Sequence, residues 1–238
     1  MTGALESAAL SAATKISNGV SEQIIRAAQD VAQKQHAKIK NSLSSGFETY
    51  LTRNISRCGN IKTLIKRNEP IKLETLYVYQ LFAPDNEKIY SDEHVINNIE
   101  NFSRIVVSGL AGSGKSMFMK YAFIRFVKQQ QNRIPLFFEL KSLNVEDNEP
   151  NLLLRSLVKT VNDITDDFTQ HRLVAGLRDG LFTLFLDGFD ELRHDRRNQI
   201  EKELLNLSYS YPNTNLIVSS RPNETFKSWE EFYILPVK

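Results

Sequence analysis

The sequence predicts an α/β fold: a parallel sheet of five strands preceded by a small all-helical module. Three observations carry this reading. From Arg104 onward, short and nearly continuous apolar runs alternate with stretches of helix length. A parallel strand covered on both faces needs that apolar character, and alternating β and α units imply right-handed crossovers. Before Pro70, by contrast, apolar residues recur at three- and four-residue steps, the mark of helices that bury one face. The 238 residues, 41% of them hydrophobic, suffice for one α/β domain with a full core and a small extra module.

Along the chain, a first helical stripe runs through Leu5, Ala8, Ala9, Ala12 and Ile16. A second, with larger side chains, runs through Ile39, Leu43, Phe47, Tyr50, Leu51 and Ile55. Gly59-Asn60 reads as a helix stop, and Pro70 blocks continuation. Residues 1–70 therefore read as a helical N-terminal module. Residues 71–103 read as a linker into the core. Within it, Glu74 to Phe82 is rich in β-branched and aromatic residues and suggests a short strand. Ala83-Pro84-Asp85-Asn86 signals a turn. Ser91 followed by Asp92 and Glu93 reads as a helix start, a side-chain cap with acids near the positive end of the dipole. Residues 104–238 form the core, with candidate strands Arg104–Ser108, Pro135–Leu140, Leu181–Asp187, Asn215–Ser219 and Glu231–Val237.

Composition narrows the functional classes. The net charge of +2 is nearly neutral, and the ten Lys/Arg against five Asp/Glu before residue 71 read as a solvated helical face rather than a nucleic-acid footprint. The only cysteine, Cys58, cannot form an internal disulfide. His36, His94, His171 and His194 are scattered, with no zinc-ligand spacing. The first twenty residues lack the basic start of a signal peptide, and no apolar run approaches the ~20 residues that span a bilayer. A cytoplasmic location is the simplest expectation.

The chemistry concentrates in three segments. Gly109-Leu110-Ala111-Gly112-Ser113-Gly114-Lys115-Ser116 fits G-x-x-x-x-G-K-[ST]. Glycines let the backbone curl and aim its N–H groups at phosphate oxygens. The loop leads into a helix-compatible run, Met117 to Gln131, whose N-terminal amides favour an anion. Met117 joins the loop in the nucleotide-binding set. Lys115 is expected to reach the β- and γ-phosphates, and the Ser116 hydroxyl to ligate Mg²⁺. The second segment, LFTLFLDGFDEL from Leu181 to Leu192, is a Walker B strand ending in Asp187, which would hold Mg²⁺ through a water. Asp190 and Glu191 follow, and one of them would position or deprotonate an attacking water. The third is NLIVSSRP from Asn215 to Pro222. A strand beside the phosphate loop would carry Arg221 to the sheet's C-terminal edge, where it can sense the γ-phosphate. No N-K-x-D motif specifies guanine, so the expected ligand is ATP with Mg²⁺.

Together the GLAGSGKS loop, the DGFDE cluster and the SSRP segment resemble a NACHT domain, the core of STAND-class signal-transduction ATPases related to the AAA+ group. The specific element is DGFDE. Most other P-loop ATPases with a catalytic glutamate place it directly after the Walker B aspartate, whereas here Gly188 intervenes. The resemblance covers about Asn97 to Lys238, and the helical N-terminus is similar to segments preceding NACHT domains in bacterial proteins.

It implies a strand order of 2-3-4-1-5, a resting state with ADP and an oligomerising state with ATP. It also implies a role in bacterial defence against phage. By match of motif, Gly109 to Ser116 would bind phosphates, Asp187 would share Mg²⁺ with Ser116, Asp190 or Glu191 would manage the water, and Arg221 would be the sensor arginine. Family members continue into a helical domain, a winged helix and a ligand-sensing repeat domain. The sequence stops just after the fifth strand, so none of these is expected within it. Two functions follow as expectations. The first is a nucleotide-dependent switch with slow ATP hydrolysis. The second is an interaction module whose N-terminal helices engage a protein partner or self-associate while nucleotide only stabilises the fold.

Overall fold

The computed structural model describes residues 44–61, 70–84, 88–129, 133–145, 149–162 and 168–238. The first helical stripe, and Ile39 and Leu43 of the second, lie outside the described residues, as do Asp85 and Asn86 of the turn and His36.

The chain enters through helix α1 (Ser44–Gly59). Its Phe47, Tyr50, Leu51 and Ile55 are all buried, as the periodicity requires. The helix stops at Gly59, and Asn60–Ile61 (β1) pairs antiparallel with Ile71–Lys72 (β2). The strand expected over Glu74 to Phe82 does not form as such. Leu73–Leu76 is a single helical turn (α2), Tyr77 to Gln80 is irregular, and only Leu81–Phe82 (β3) is extended, paired with Tyr90–Ser91 (β4). The reason is tertiary. The carboxylate of Asp92 accepts from the Tyr77 hydroxyl at 2.8 Å and from the Gln80 N–H at 3.3 Å. The Tyr77 ring stacks on Tyr121 at 3.8 Å between centroids. These contacts outweigh β-propensity, which measures fit to a pleated surface more than any backbone preference.

Ser91 caps helix α3 (Asp92–Asn97) as anticipated, its Oγ accepting from the His94 N–H at 3.1 Å. A short turn of helix, α4 (Ile99–Phe102), leads into the first sheet strand, β5 (Arg104–Ser108). The rest alternates: α5 (Lys115–Lys128), β6 (Ile134–Glu139), α6 (Leu152–Asn162), α7 (Gln170–Arg178), β7 (Phe182–Asp187), α8 (His194–Ser210), β8 (Asn215–Ser220) and β9 (Tyr233–Pro236). Observed strands differ from the expected ranges by one or two residues at their ends, most at β9, where pairing begins only at Tyr233.

All four pairings within the five-stranded sheet are parallel, in the order β6-β7-β8-β5-β9. Numbered by appearance within the core, that is 2-3-4-1-5, the order implied by the resemblance. Every residue of β7 and β8 is buried, which explains the apolar runs at their centres. Helix α5 packs on β6, β7 and β8 and also against α1, α2 and α3. The Glu203 carboxylate on α8 caps the start of α6, accepting from the N–H groups of Leu152 and Leu153 at 3.1 and 2.8 Å.

Helix α1 shares this core. Phe47 meets Phe168 and Phe182 edge-on or tilted at 5.1 and 5.8 Å. The buried Tyr50 hydroxyl bridges one residue of edge strand β6. It accepts from the Phe137 N–H at 2.9 Å and reaches the Phe137 carbonyl at 3.3 Å. A lone edge strand presents unpaired backbone groups; here a tyrosine satisfies both groups of one residue. At the other edge the β3–β4 hairpin continues onto the end of β9 through Ala83 N–H to Pro236 C=O and Lys238 N–H to Leu81 C=O, both 2.9 Å.

Candidate functional site

Parallel strands deliver their C-terminal ends to one edge of the sheet, where open α/β folds bind ligands. Three of those ends meet here. The loop after β5 is tied to β8 by the Gly109 N–H on the Ser220 carbonyl at 3.1 Å. Gly112 and Gly114 take positive φ values of +79° and +88°, which lets the loop close on itself. At Gly109 a Cβ would lie 2.5 Å from Ser113 Oγ, so a larger residue would require that hydroxyl to move. Lys115, the first residue of α5, turns its ammonium back into the loop and donates to the carbonyls of Gly109 and Leu110 at 2.7 and 2.9 Å. Ser113 Oγ is buried with no hydrogen-bond partner. A curled loop with a lysine held at its centre and an orphaned hydroxyl inside suits a polyanion. The Leu110 side chain is 72% exposed, so it contributes through its backbone rather than its side chain.

Asp187 ends β7 beside this loop. Its Oδ1 accepts from Ser116 Oγ at 3.1 Å and, more closely, from Ser219 Oγ on β8. Burial raises its pKa above the usual carboxylate range, and the hydrogen bonds from Ser219 and Ser116 oppose that. A hydroxyl and a carboxylate so placed are hard oxygen donors of the kind Mg²⁺ takes, together with phosphate oxygens and water. Ser219 itself accepts from the Gly188 N–H at 2.8 Å, so it fixes both the carboxylate and the turn that follows.

That turn begins at Gly188, whose φ of +83° and ψ of 51° favour glycine, and continues as a 3₁₀ turn over Phe189–Glu191. Phe189 anchors it below, edge-on to Trp229 at 5.5 Å. The two carboxylates of the turn are used differently. Asp190 is occupied: Oδ1 accepts the Arg221 N–H at 3.1 Å, and Oδ2 pairs with Arg221 Nε at 2.9 Å. Glu191 makes no hydrogen bond or ion pair through its carboxylate among the described residues, and it lines the same cleft as Lys115, Ser116 and Arg221.

The residues singled out from sequence therefore come together at one cleft: the loop with Met117 on one side, Gly188, Asp190, Glu191 and Arg221 on the other, and Asp187 joined to the lining residues Ser116 and Ser219. Sequence reasoning missed Ser219, although it stands within the quoted SSRP run. Only the register that pairs Leu186 with Val218 reveals that it falls beside Asp187. It also missed Gln80, whose side chain lies 2.9 Å from where a Cβ on Gly114 would be. No helix among the described residues is long and apolar enough to cross a membrane.

Compared with known families, the chain matches the model of the NACHT domain over residues 103–233, more than half of its length. No curated protein matches.

Proposed function

Since the chain belongs to the NACHT-domain family, and is thereby a nucleotide-binding NTPase, we propose that it acts as an ATP-dependent switch that hydrolyses its ligand slowly. The observation that carries this reading is the Ser116–Asp187 pair at 3.1 Å directly beside the glycine loop. Mg²⁺, which Ser116 and Asp187 would hold, would neutralise phosphate charge when bound. The chain's own residues do the rest. Loop amides from Gly109 to Ser116 and the start of α5 hold the phosphates, with Met117 lining the same cleft. Lys115 leaves the Gly109 and Leu110 carbonyls for phosphate oxygens, and Ser116 and Asp187 hold the cation. Glu191, with no partner of its own, orients and deprotonates the attacking water. Asp190 anchors Arg221, which meets the γ-phosphate.

The base is adenine in this reading. That choice rests on the sequence, which has no N-K-x-D motif to specify guanine. The test is to denature purified protein and identify the nucleotide released. ADP or ATP retained by the wild type supports the proposal, and guanine nucleotide would overturn the choice of base.

The described part of the N-terminal segment does not favour the alternative of an interaction module. Helix α1 commits its apolar face to the shared core, chiefly against α5. On the family resemblance alone we extend the proposal to defence against phage. A plaque assay in which Lys115→Ala protects as well as wild type would remove that extension.

A further inference from the structure

The acidic turn is held from outside the cleft by side chains that no nucleotide-binding motif includes. Three successive carbonyls each accept a side-chain hydrogen bond. Asp190 C=O and Leu192 C=O both receive Arg197 Nη2, at 3.1 and 3.3 Å. Between them, Glu191 C=O receives Asn144 Nδ2 at 2.9 Å. The same carboxamide accepts the Arg193 N–H on its Oδ1 at 2.8 Å. Asn144 thus spans the backbone on both sides of Leu192 as a neighbouring strand would. It is itself set by the core. It follows the 3₁₀ turn Leu140–Leu143 after β6, whose Leu140 and Leu143 are fully buried, and its N–H bonds the Lys141 carbonyl at 3.1 Å.

We propose that Asn144 is a positioning residue for Glu191. The inference rests on the reading of Glu191 as the group that handles water. The backbone of Glu191 is fixed on three sides: by Asn144, by Arg197 on the flanking carbonyls, and by its own N–H on the Gly188 carbonyl at 3.0 Å. Its carboxylate is left without a partner. A base works only at hydrogen-bond distance from the proton it removes, and a misplacement near 1 Å can cost about 100-fold in rate. Ser219 holds the turn at its start through the Gly188 N–H, and Asn144 and Arg197 brace its far side, so that the placement is kept along the whole turn. Asn144 braces it without touching substrate, so its removal acts on turnover and leaves nucleotide affinity alone.

The experiment measures single-turnover hydrolysis of Mg²⁺-ATP and equilibrium ATP affinity for wild type, Asn144→Ala, Asn144→Asp and Glu191→Gln. It also includes Asn144→Ala on the Glu191→Gln background. The expected result for Asn144→Ala is a fall of roughly tenfold or more in rate with ATP affinity unchanged. Asn144→Asp keeps the acceptor for the Arg193 N–H, loses the donor, and falls between. On the Glu191→Gln background the same change has no further effect, because Asn144 acts through that side chain. An equal fractional loss on that background, or an unchanged rate in Asn144→Ala, overturns the proposal. Should Asn144→Ala fail to fold, the rate of Asn144→Asp decides. A wild type that binds ATP without hydrolysing it overturns this inference but leaves the nucleotide site standing. A wild type that binds no ATP fails the underlying reading first.

Discussion

Strand β6 along the sheet's edge and the cleft at the strands' C-terminal ends treat polar groups in opposite ways. Against β6, groups are matched and closed off. Tyr50 engages both backbone groups of Phe137, and Arg57 pairs with Glu139 at 3.6 Å while lying 5.9 Å over the Phe137 ring. In the cleft, groups are poised and unfinished. The Glu191 carboxylate has no partner among the described residues, Ser113 Oγ is buried alone, and Lys115 rests on carbonyls of its own loop. Buried polar groups are normally satisfied because leaving one bare costs about 1–3 kcal/mol. Ser113 Oγ is such an exception inside the phosphate loop, where a bound anion would complete its bonding. The contrast implies that substitutions near β6 change stability, while those in the cleft change chemistry.

The largest expected effect breaks this contrast if it fails. Glu191→Gln should reduce ATP turnover by about 100-fold or more, the usual contribution of a positioned base, while leaving the melting temperature where it was. A substantial loss of stability would mean that Glu191 is structural. Next in size, Tyr50→Phe leaves the buried Phe137 N–H and C=O unpaired and should destabilise the fold by about 1–3 kcal/mol in urea unfolding. Its ATP affinity should match wild type, and a weakened affinity would erase the distinction between the regions.

Arg57→Ala sharpens the comparison at its weak end. The pair with Glu139 is half exposed, so its loss should cost less than about 1 kcal/mol. The smallest effect concerns Cys58 on the same helix. Burial pushes its thiol from an ordinary 9.0 up to about 12, with Arg57 pulling the other way. Its folded pKa is raised, so its contribution to stability is fully present below about pH 9 and is lost as pH rises toward about 12. At pH 8 a thiol reagent should label it only in denaturant, and fast labelling of the native chain would show that this side of the core is open.

Much of this could be read from the sequence, for physical reasons. The strands are legible because a doubly covered parallel strand admits little but apolar side chains, and β7 and β8 are buried throughout. The phosphate loop is legible because its glycines answer a local backbone demand at Gly112 and Gly114. What was not legible depends on register and on distant partners. Glu74 to Phe82 has strand-like composition, yet Asp92 and Tyr121 hold its first half out of any ladder. Ser219 reaches Asp187 only because of how β7 and β8 align. Asn144 acts on backbone groups, so no motif announces it. The division at residue 70 was drawn from a change in periodicity, which does not report that α1 would share its core with the sheet.

The central claim is that the cleft is completed by a Mg²⁺-nucleotide held by Lys115. The most direct test is calorimetric titration of ATP, with and without Mg²⁺, into wild type and Lys115→Ala. Binding to the wild type should depend on Mg²⁺, and affinity should be lower by about 100-fold in the variant, as a charge-assisted contact to phosphate is removed. Equal affinity in the two proteins would contradict it.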